Sequence, residues 1–147
     1  MRVKDVMETD VYILCEEDKI SQASEFMRKE RIRNLPVVDE NKKLVGLVTL
    51  REIVDALSNK KSKVNSEDLK IGDIMIREVK SIGPETPLKG AVEVMILNKF
   101  GSMPVTDSNK RLLGMLTEYS LLKKLYEMSE LPNDFYVKEE KKKAFKI

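Results

Sequence analysis

Two short apolar runs, followed by a one-sided helical pattern, stand out in the first half of the chain. Residues 35–38 and 44–48 are apolar runs of strand length, and the polar residues 39–43 between them predict a turn. The next apolar positions follow the i, i+3, i+4, i+7 spacing of an amphipathic helix; they are Leu50, Ile53, Val54 and Leu57. The pattern therefore predicts an antiparallel hairpin that leads directly into a helix.

The same pattern returns 68 residues further along the chain. Residues 3–54 align with residues 71–122 without a gap, and 15 of the 52 aligned positions are identical. Self-similarity at one fixed offset is the mark of a duplicated structural unit. We interpret the chain as two copies of one unit.

The elements that precede the hairpin in each unit are predicted from the sequence of the first copy. Residues 3–7 form a lead-in turn, residues 11–14 form a strand rich in β-branched and aromatic residues, and a helix with an apolar face begins near Ile20. Asp18 is a candidate cap for that helix. A strand, a crossover helix and a second strand favour a parallel pairing, so each sheet is expected to be small and mixed.

These elements give an α/β (α+β) fold of two β-α-β-β-α repeats. A small sheet with helices on one face leaves its other face bare, so we expect the repeats to pack sheet against sheet about a pseudo-twofold axis. We place repeat 1 at residues 1–60, a polar linker at 61–69, repeat 2 at 70–130 and a Lys-rich tail at 131–147.

Charge and composition argue against nucleic acid as a partner. The 27 Lys and Arg against 25 Asp and Glu give a net charge of +2. The Lys-rich tail carries this excess, so the folded body offers no cationic field. The tail itself is interrupted by glutamates, which favours a solvated terminus.

Catalysis and metal binding have little support. The chain has no histidine, which excludes His-based metal sites and His general bases. The single cysteine, Cys15, follows an apolar run and is expected to be a buried, inert thiol of a reducing compartment. No uncharged run is long enough to span a bilayer and no signal sequence is evident, so we expect a cytoplasmic protein that is not an enzyme.

The duplicated unit resembles the cystathionine-β-synthase (CBS) domain, and two units in tandem resemble a Bateman module. The residues that carry the resemblance are Leu-Pro-Val-Val-Asp at 35–39, Leu-Val-Gly-Leu-Val-Thr at 44–49, and their counterparts in the second copy. The resemblance implies a regulatory module without a permanent cofactor. It implies that AMP, ADP, ATP or S-adenosylmethionine binds in clefts between the repeats, and that the module forms a homodimer and regulates an effector protein that the sequence does not name.

The resemblance also points to ligand-binding residues, beginning with a Thr/Ser-x-x-Asp pattern at the start of the last helix. Here the hydroxyl meets phosphate, at a helix N-terminus that favours anions, and the carboxylate meets the ribose hydroxyls. This sequence has Glu52 and Ser120 in place of the Asp. The main cleft is expected to use Arg33, Asn34, Thr49 and Glu52, together with Val79, Lys80 and Met103. The weaker cleft is expected to use Val11, Tyr12, Ser102, Thr117 and Ser120.

Several of these residues have structural explanations as well. Thr49 and Glu52 form a Thr-x-x-Glu capping box whether or not a ligand binds. Arg33 is a phosphate ligand or a solvated surface arginine, Gly101 either lets the backbone approach a base or ends a helix, and Tyr12 stacks on adenine or packs on the sheet. Since both copies lack the Asp, the alternative function is an interaction and dimerisation module whose clefts do not bind.

Overall fold

The computed structural model describes residues 1–58 and 69–129. Almost all of the predicted linker, and the whole predicted tail, lie outside the described residues. A 3₁₀ turn at Val3–Asp5 comes first. The elements that follow are α1 (Ile20–Glu30), β1 (Asn34–Val38), β2 (Leu44–Thr49), α2 (Leu50–Ser58), α3 (Ile71–Ile74), α4 (Leu88–Asn98), β3 (Ser102–Thr106), β4 (Leu112–Thr117) and α5 (Glu118–Met128). The predicted mixture of helices and small sheets is confirmed.

Both predicted hairpins are present and nearly identical. β1 pairs antiparallel with β2, β3 pairs antiparallel with β4, and each ladder has one irregularity near the turn. In the first turn, Asp39 Oδ1 accepts hydrogen bonds from the backbone N–H groups of Asn41 and Lys43, both at 2.9 Å. Asp107 does the same in the second turn. The repeated Asp therefore fixes the same turn twice, because its carboxylate replaces a backbone partner.

The predicted strand at residues 11–14 is wrong in extent but right in direction. Within this run Leu14 alone pairs, through a single parallel bridge to Val37. Its N–H donates to Pro36 O and its carbonyl accepts from Val38, both at 2.9 Å. Ile82 forms the equivalent parallel bridge to Val105. Tyr12 and Ile13 are about half exposed, so the apolar run is partly a surface feature.

Two further predictions in the loop before α1 are wrong. Cys15 is exposed rather than buried, and it lies in the loop between Leu14, which pairs with β1, and α1. Asp18 does not cap α1, whose N-cap is Lys19. Instead, Asp18 Oδ2 accepts a hydrogen bond from the Cys15 N–H at 2.8 Å. The carboxylate therefore closes the loop that leads to the helix.

Each half has its own hydrophobic core, and each core contains a segment from the other half. Ile71 and Met75, which begin the second repeat, lie in the core formed by α1, β1 and β2. Val3 and Val6, which begin the first repeat, lie in the core of α4, β3 and β4. The lead-in segments are thus exchanged between the halves, and neither core is complete without the other repeat.

The contacts between the halves obey a pseudo-twofold relation. Leu47 pairs with Ile76, and the equivalent residues Met115 and Glu8 form the matching bridge. A third bridge joins Lys43 to Arg111, which are themselves equivalent positions, and so lies close to the axis. The predicted pseudo-twofold relation between the repeats is therefore visible in the backbone pairing between the two halves.

Ion pairs repeat the same symmetry on the surface. Lys70 Nζ lies 2.5 Å from Glu17 Oε2, and Arg2 Nη1 lies 3.2 Å from Glu85 Oε2 at the equivalent place. The hydrogen bond and the negative charge of Glu17 raise the pKa of Lys70. All four side chains are largely exposed, so these pairs add little stability.

Candidate functional site

The start of α2 carries the first half of the candidate site. The Glu52 side chain folds back so that Oε2 accepts a hydrogen bond from the Thr49 N–H at 2.8 Å and another from the Thr49 hydroxyl. This is the backward half of a capping box. Among the described residues, Glu52 Oε1 makes no hydrogen bond. The cap therefore leaves one carboxylate oxygen of Glu52 able to accept a hydrogen bond from a further donor.

The strand β1 begins beside this cap. Asn34 is the register partner of Thr49, and the Arg33 carbonyl accepts a hydrogen bond from the Leu50 N–H at 2.8 Å. The pairing places the residues before β1 next to the N-terminus of α2. Arg33 is exposed at this position, so its guanidinium is open to solvent.

Gly101 brings the second half of the chain to the same place. A side chain built on Gly101 would begin 3.8 Å from Asn34 Nδ2 and 3.8 Å from Glu118 Oε2. The Gly101 carbonyl in turn accepts a hydrogen bond from the Glu118 N–H at 3.0 Å. An amide from one half and a carboxylate from the other thus flank a residue that has no side chain.

Lys80 reaches the helix end that precedes Gly101. Its Nζ lies 5.8 Å from the centroid of the Phe100 ring and 3.4 Å from Asn98 Oδ1. A cation over an aromatic face at this distance is a weak cation–π contact. We define the Thr49 cleft as Arg33, Asn34, Thr49 and Glu52 from the first half, with Lys80, Phe100, Gly101 and Glu118 from the second.

Two predicted residues of the main cleft have side chains in other surroundings, so their contact with a ligand stays a prediction. Met103 is 2% exposed and its side chain packs in the core of the second half. Val79 lines a separate cavity of about 250 Å³ together with Leu44 and Val45, at the end of β2 away from Thr49. We therefore leave both residues out of the Thr49 cleft.

In the second half, Thr117 and Ser120 stand at the positions equivalent to Thr49 and Glu52, and each hydroxyl is engaged in hydrogen bonds with the other residue. The Ser120 hydroxyl accepts from the Thr117 N–H at 2.9 Å and donates to the Thr117 carbonyl at 2.8 Å. Thr117 Oγ1 accepts from the Ser120 N–H at 3.0 Å. Ser120 is buried and has no charge, so this cap offers no counterpart to Glu52.

The other predicted residues of the weaker cleft also have structural partners. Ser102 is buried and pairs with Thr117 in the β3–β4 ladder. The Tyr12 ring meets the Phe26 ring edge to face, with centroids 4.7 Å apart. Val11 is partly buried. The Tyr12 contact matches the packing interpretation of that residue.

Sequence reasoning did not single out Glu118 or Phe100. Glu118 is equivalent to Leu50 in the first repeat, so an acid replaces an apolar residue directly after the capping threonine. Phe100 is equivalent to Ile32. Differences of this kind between equivalent positions of the two repeats are the sequence signal that could have identified these residues. The role of each residue, however, depends on which half of the fold its side chain faces.

Metal and membrane sites were also considered. Among residues 1–58 and 69–129, no group of three or more His, Cys, Asp or Glu side chains could hold a metal ion. No helix in this part of the chain is long and apolar enough to cross a bilayer.

The family relationship follows from the duplicated unit. The family model of the CBS domain matches residues 3–59 and again residues 71–127. The chain belongs to the CBS domain family. The two matches coincide with the two repeats seen in the sequence and in the fold, so the chain carries a tandem CBS pair.

Relatives of known sequence include an enzyme that contains this unit. The chain is 32% identical over 119 residues to homoserine O-acetyltransferase of Methanosarcina acetivorans. The match covers 81% of this chain and 21% of that enzyme. The chain thus spans about a fifth of the length of that relative.

Solved CBS structures share the fold. An acetoin utilization protein, AcuB, from Vibrio cholerae is 27% identical with a TM-score of 0.80, covering 89% of this chain and 96% of that one. The CBS domain pair of protein MJ0100 is 26% identical with a TM-score of 0.73, covering 88% of this chain and 98% of that one. That pair is in complex with 5′-methylthioadenosine and S-adenosyl-L-methionine. CBS pairs thus serve as regulatory ligand-binding modules.

Proposed function

We propose that this CBS pair is a regulatory module that binds an adenosine compound in the Thr49 cleft. The observation that carries the proposal is the approach of the Asn34 side chain, whose register partner is the capping residue Thr49, to Gly101 of the other half. The adenosine compounds bound by the MJ0100 pair support the ligand class. Cytoplasmic location and control of an effector protein belong to the same proposal.

Each part of such a ligand has a suitable group in the cleft. The N-terminus of α2 presents backbone N–H groups and the positive end of a nine-residue helix, which favour a phosphate or a carboxylate. Arg33 can pair with the same anion. Glu52 Oε1 can accept a hydrogen bond from a ribose hydroxyl. Gly101 lets a flat base approach the backbone because no Cβ stands in the way.

Thermal unfolding in the presence of AMP, ADP, ATP and S-adenosylmethionine tests the proposal. At least one of these compounds is expected to raise the unfolding temperature, since a ligand at about 100 times its Kd adds about 2.7 kcal/mol to the free energy of unfolding. Glu52→Gln is expected to weaken binding roughly tenfold, because a charge-assisted hydrogen bond is lost.

Ser120→Ala is the matched control, since it changes the equivalent position in the other half. We expect it to lower the ligand-free stability through the lost cap while leaving the affinity unchanged. The absence of any shift with all four compounds at millimolar concentration would argue against ligand binding.

A second candidate function, interaction between copies of the chain, has its own support. The outer faces of α4 and α5 expose large apolar side chains, among them Ile96 at 70% and Leu125 at 66%. A groove of about 600 Å³ runs along α4. The equivalent residues to Ile96 and Leu97 in α1 are Arg28 and Lys29. The apolar outer face of α4 is therefore specific to the second half, whereas Leu122 and Leu125 of α5 have the exposed equivalents Val54 and Leu57 in α2. An exposed apolar helix face of this kind is expected of a surface that a homodimer covers.

Light scattering of the purified chain tests the homodimer. We expect a dimer mass that falls to the monomer mass in Leu97→Glu, because a charge would be buried at the contact. Lys29→Glu, at the equivalent position of α1, should leave the mass unchanged. A monomer at all concentrations would remove this function.

A further inference from the structure

We propose that a small cavity beside the pseudo-twofold axis binds a free α-amino acid with a short aliphatic side chain. The cavity has a volume of about 250 Å³ and is lined by residues of both halves, among them Leu44 and Lys110. The Leu44 N–H donates to the Lys110 carbonyl at 2.9 Å, next to the bridge between Lys43 and Arg111. We call it the axis cavity. Its lining residues differ from those of the Thr49 cleft, so the inference does not depend on the function proposed for that cleft.

The volume of the axis cavity limits the size of the ligand. At about 30 Å³ for each water molecule, the cavity has room for about eight waters. Pockets for drug-sized ligands begin at about 300 Å³, so a nucleotide is too large for this cavity. A free amino acid such as valine or leucine has a number of non-hydrogen atoms that is similar to the number of waters.

Three of the lining residues are apolar. Leu44 and Val45 belong to β2 of the first half, and Val79 belongs to the second half. All three are partly buried, so an aliphatic side chain placed against them would lose contact with water. The cavity therefore suits a ligand with a hydrocarbon part.

Two lining residues carry opposite charges that nothing else neutralises. In the part of the chain that the structure describes, the Lys110 ammonium and the Glu78 carboxylate form no ion pair or hydrogen bond, with each other or with a third group. Arg77 also lines the cavity but is engaged, since Nη2 donates to the Gly72 carbonyl at 2.7 Å and Nη1 lies 3.6 Å from Glu16 Oε1. A zwitterion supplies a carboxylate for the ammonium and an ammonium for the carboxylate, whereas a simple anion or cation would meet one charge of its own sign.

The second half also lines the cavity with two hydroxyls where the first half has apolar side chains. Ser81 and Thr106 are equivalent to Ile13 and Val38. Thr106 is only 7% exposed, and its Oγ1 lies 3.1 Å from Ser81 Oγ in a hydrogen bond. Whichever hydroxyl donates, the proton of the other has no acceptor among the described residues. That proton is available to the carboxylate of an amino acid.

NMR titration of the ¹⁵N-labelled full chain with L-leucine tests the proposal. The amide signals of Val45, Val79 and Thr106 are expected to shift and saturate, whereas those of Val11 and Val38, at equivalent positions of the first half, should not shift. The matched probes are 4-methylpentanoate and 3-methylbutylamine, since each keeps the aliphatic part of leucine and lacks one of its two charges. Each probe is expected to bind at least about tenfold more weakly than L-leucine.

Two variants test the charges of the cavity. Glu78→Gln and Lys110→Gln are each expected to weaken L-leucine binding roughly tenfold, because one charge of the ligand is left without a partner. Asp10→Asn and Lys42→Gln are the matched controls at the equivalent positions of the first half, and they should leave the affinity unchanged. Lys42 and Lys110 have nearly the same positive φ, 62° and 63°, so the backbone strain is matched as well. Thermal unfolding without ligand verifies that all four variants fold.

Three results would overturn the inference. The first is the absence of any shift with L-leucine and with L-valine at millimolar concentration. The second is 4-methylpentanoate binding as tight as that of L-leucine, which would show that the cavity does not recognise the ammonium group. The third is an equal loss of affinity in Lys110→Gln and Lys42→Gln, which would place the binding outside the axis cavity.

Discussion

Gly114→Ala is expected to lower the free energy of unfolding by about 3 kcal/mol, the largest effect that we predict for a single methyl group. A Cβ at this position would lie 2.3 Å from the Glu8 carbonyl oxygen. Glu8 and Met115 exchange two backbone hydrogen bonds at 2.9 Å, so the carbonyl cannot move without breaking the bridge between the halves. Urea denaturation measures the loss.

Two other glycines provide controls for this prediction. Gly46→Ala should cost less, because its nearest obstacle is the flexible Met75 side chain, with Sδ at 2.5 Å. Gly90→Ala should stabilise the protein by about 0.5 to 1 kcal/mol, since it lies in α4 with nothing within 4 Å of the added carbon. A Gly114→Ala variant as stable as the unmodified chain would show that the halves do not meet through this bridge.

Ile71→Ala is expected to destabilise the chain by about 3 kcal/mol, within the range for deletion of a buried aliphatic side chain. Ile71 belongs to the second repeat by sequence but is 0% exposed within the core of the first. Its N–H also donates to the Asp18 carbonyl at 2.8 Å. The cavity would therefore open in the core of the first repeat, although Ile71 belongs to the second repeat by sequence.

Ile96→Ala serves as the control for the same chemical change, because Ile96 is 70% exposed and should alter the stability of the monomer by less than about 0.5 kcal/mol. Hydrogen exchange locates the effect of Ile71→Ala. We expect the amides of α1 and β1 to lose protection first. Loss of protection confined to β3 and β4 would contradict the exchange of lead-in segments.

The local elements were largely predictable from the sequence. The hairpin between Leu35 and Val48 and the helix start after Thr49 follow from short-range rules: an apolar run, an Asp-bearing turn and a capping threonine. Each rule involves residues within about five positions of one another. Because the repeat gave two copies of every signal, the position of both hairpins could be predicted without a structure.

The exchange of the lead-in segments could not be predicted. Val3 and Ile71 are apolar whichever core they enter, so their pattern carries no information about the partner. The predicted strand at residues 11–14 failed for a related reason. Its apolar side chains suggested a full ladder, whereas the fold supplies a backbone partner for Leu14 alone within that run.

The residues of the candidate site likewise divide into those that the sequence predicts and those that it does not. The Thr49 and Glu52 cap was predictable because its residues are three positions apart. Glu118 was missed because its relation to Asn34 depends on how the two halves close on each other. Cys15 was misplaced because an apolar neighbour does not fix the direction in which the chain turns.

If the proposed function holds, the exchanged cores would give a ligand in the Thr49 cleft a means to act at a distance. A compound that contacts both halves would stabilise their closed arrangement, since its binding free energy is available to that arrangement alone. A partner that recognises the closed arrangement would then bind more tightly in the presence of the ligand, and the coupling would be reciprocal.

Residue-resolved NMR titration of the ¹⁵N-labelled chain with AMP and with S-adenosylmethionine tests the central claim most directly. The account predicts saturable amide shifts at Asn34, Thr49 and Gly101, which belong to different halves but to one cleft, while the amide signals of Tyr12 and Ser120 do not shift. Shifts confined to a single half, or none at millimolar ligand, would contradict a binding site formed by the closure of the two CBS repeats.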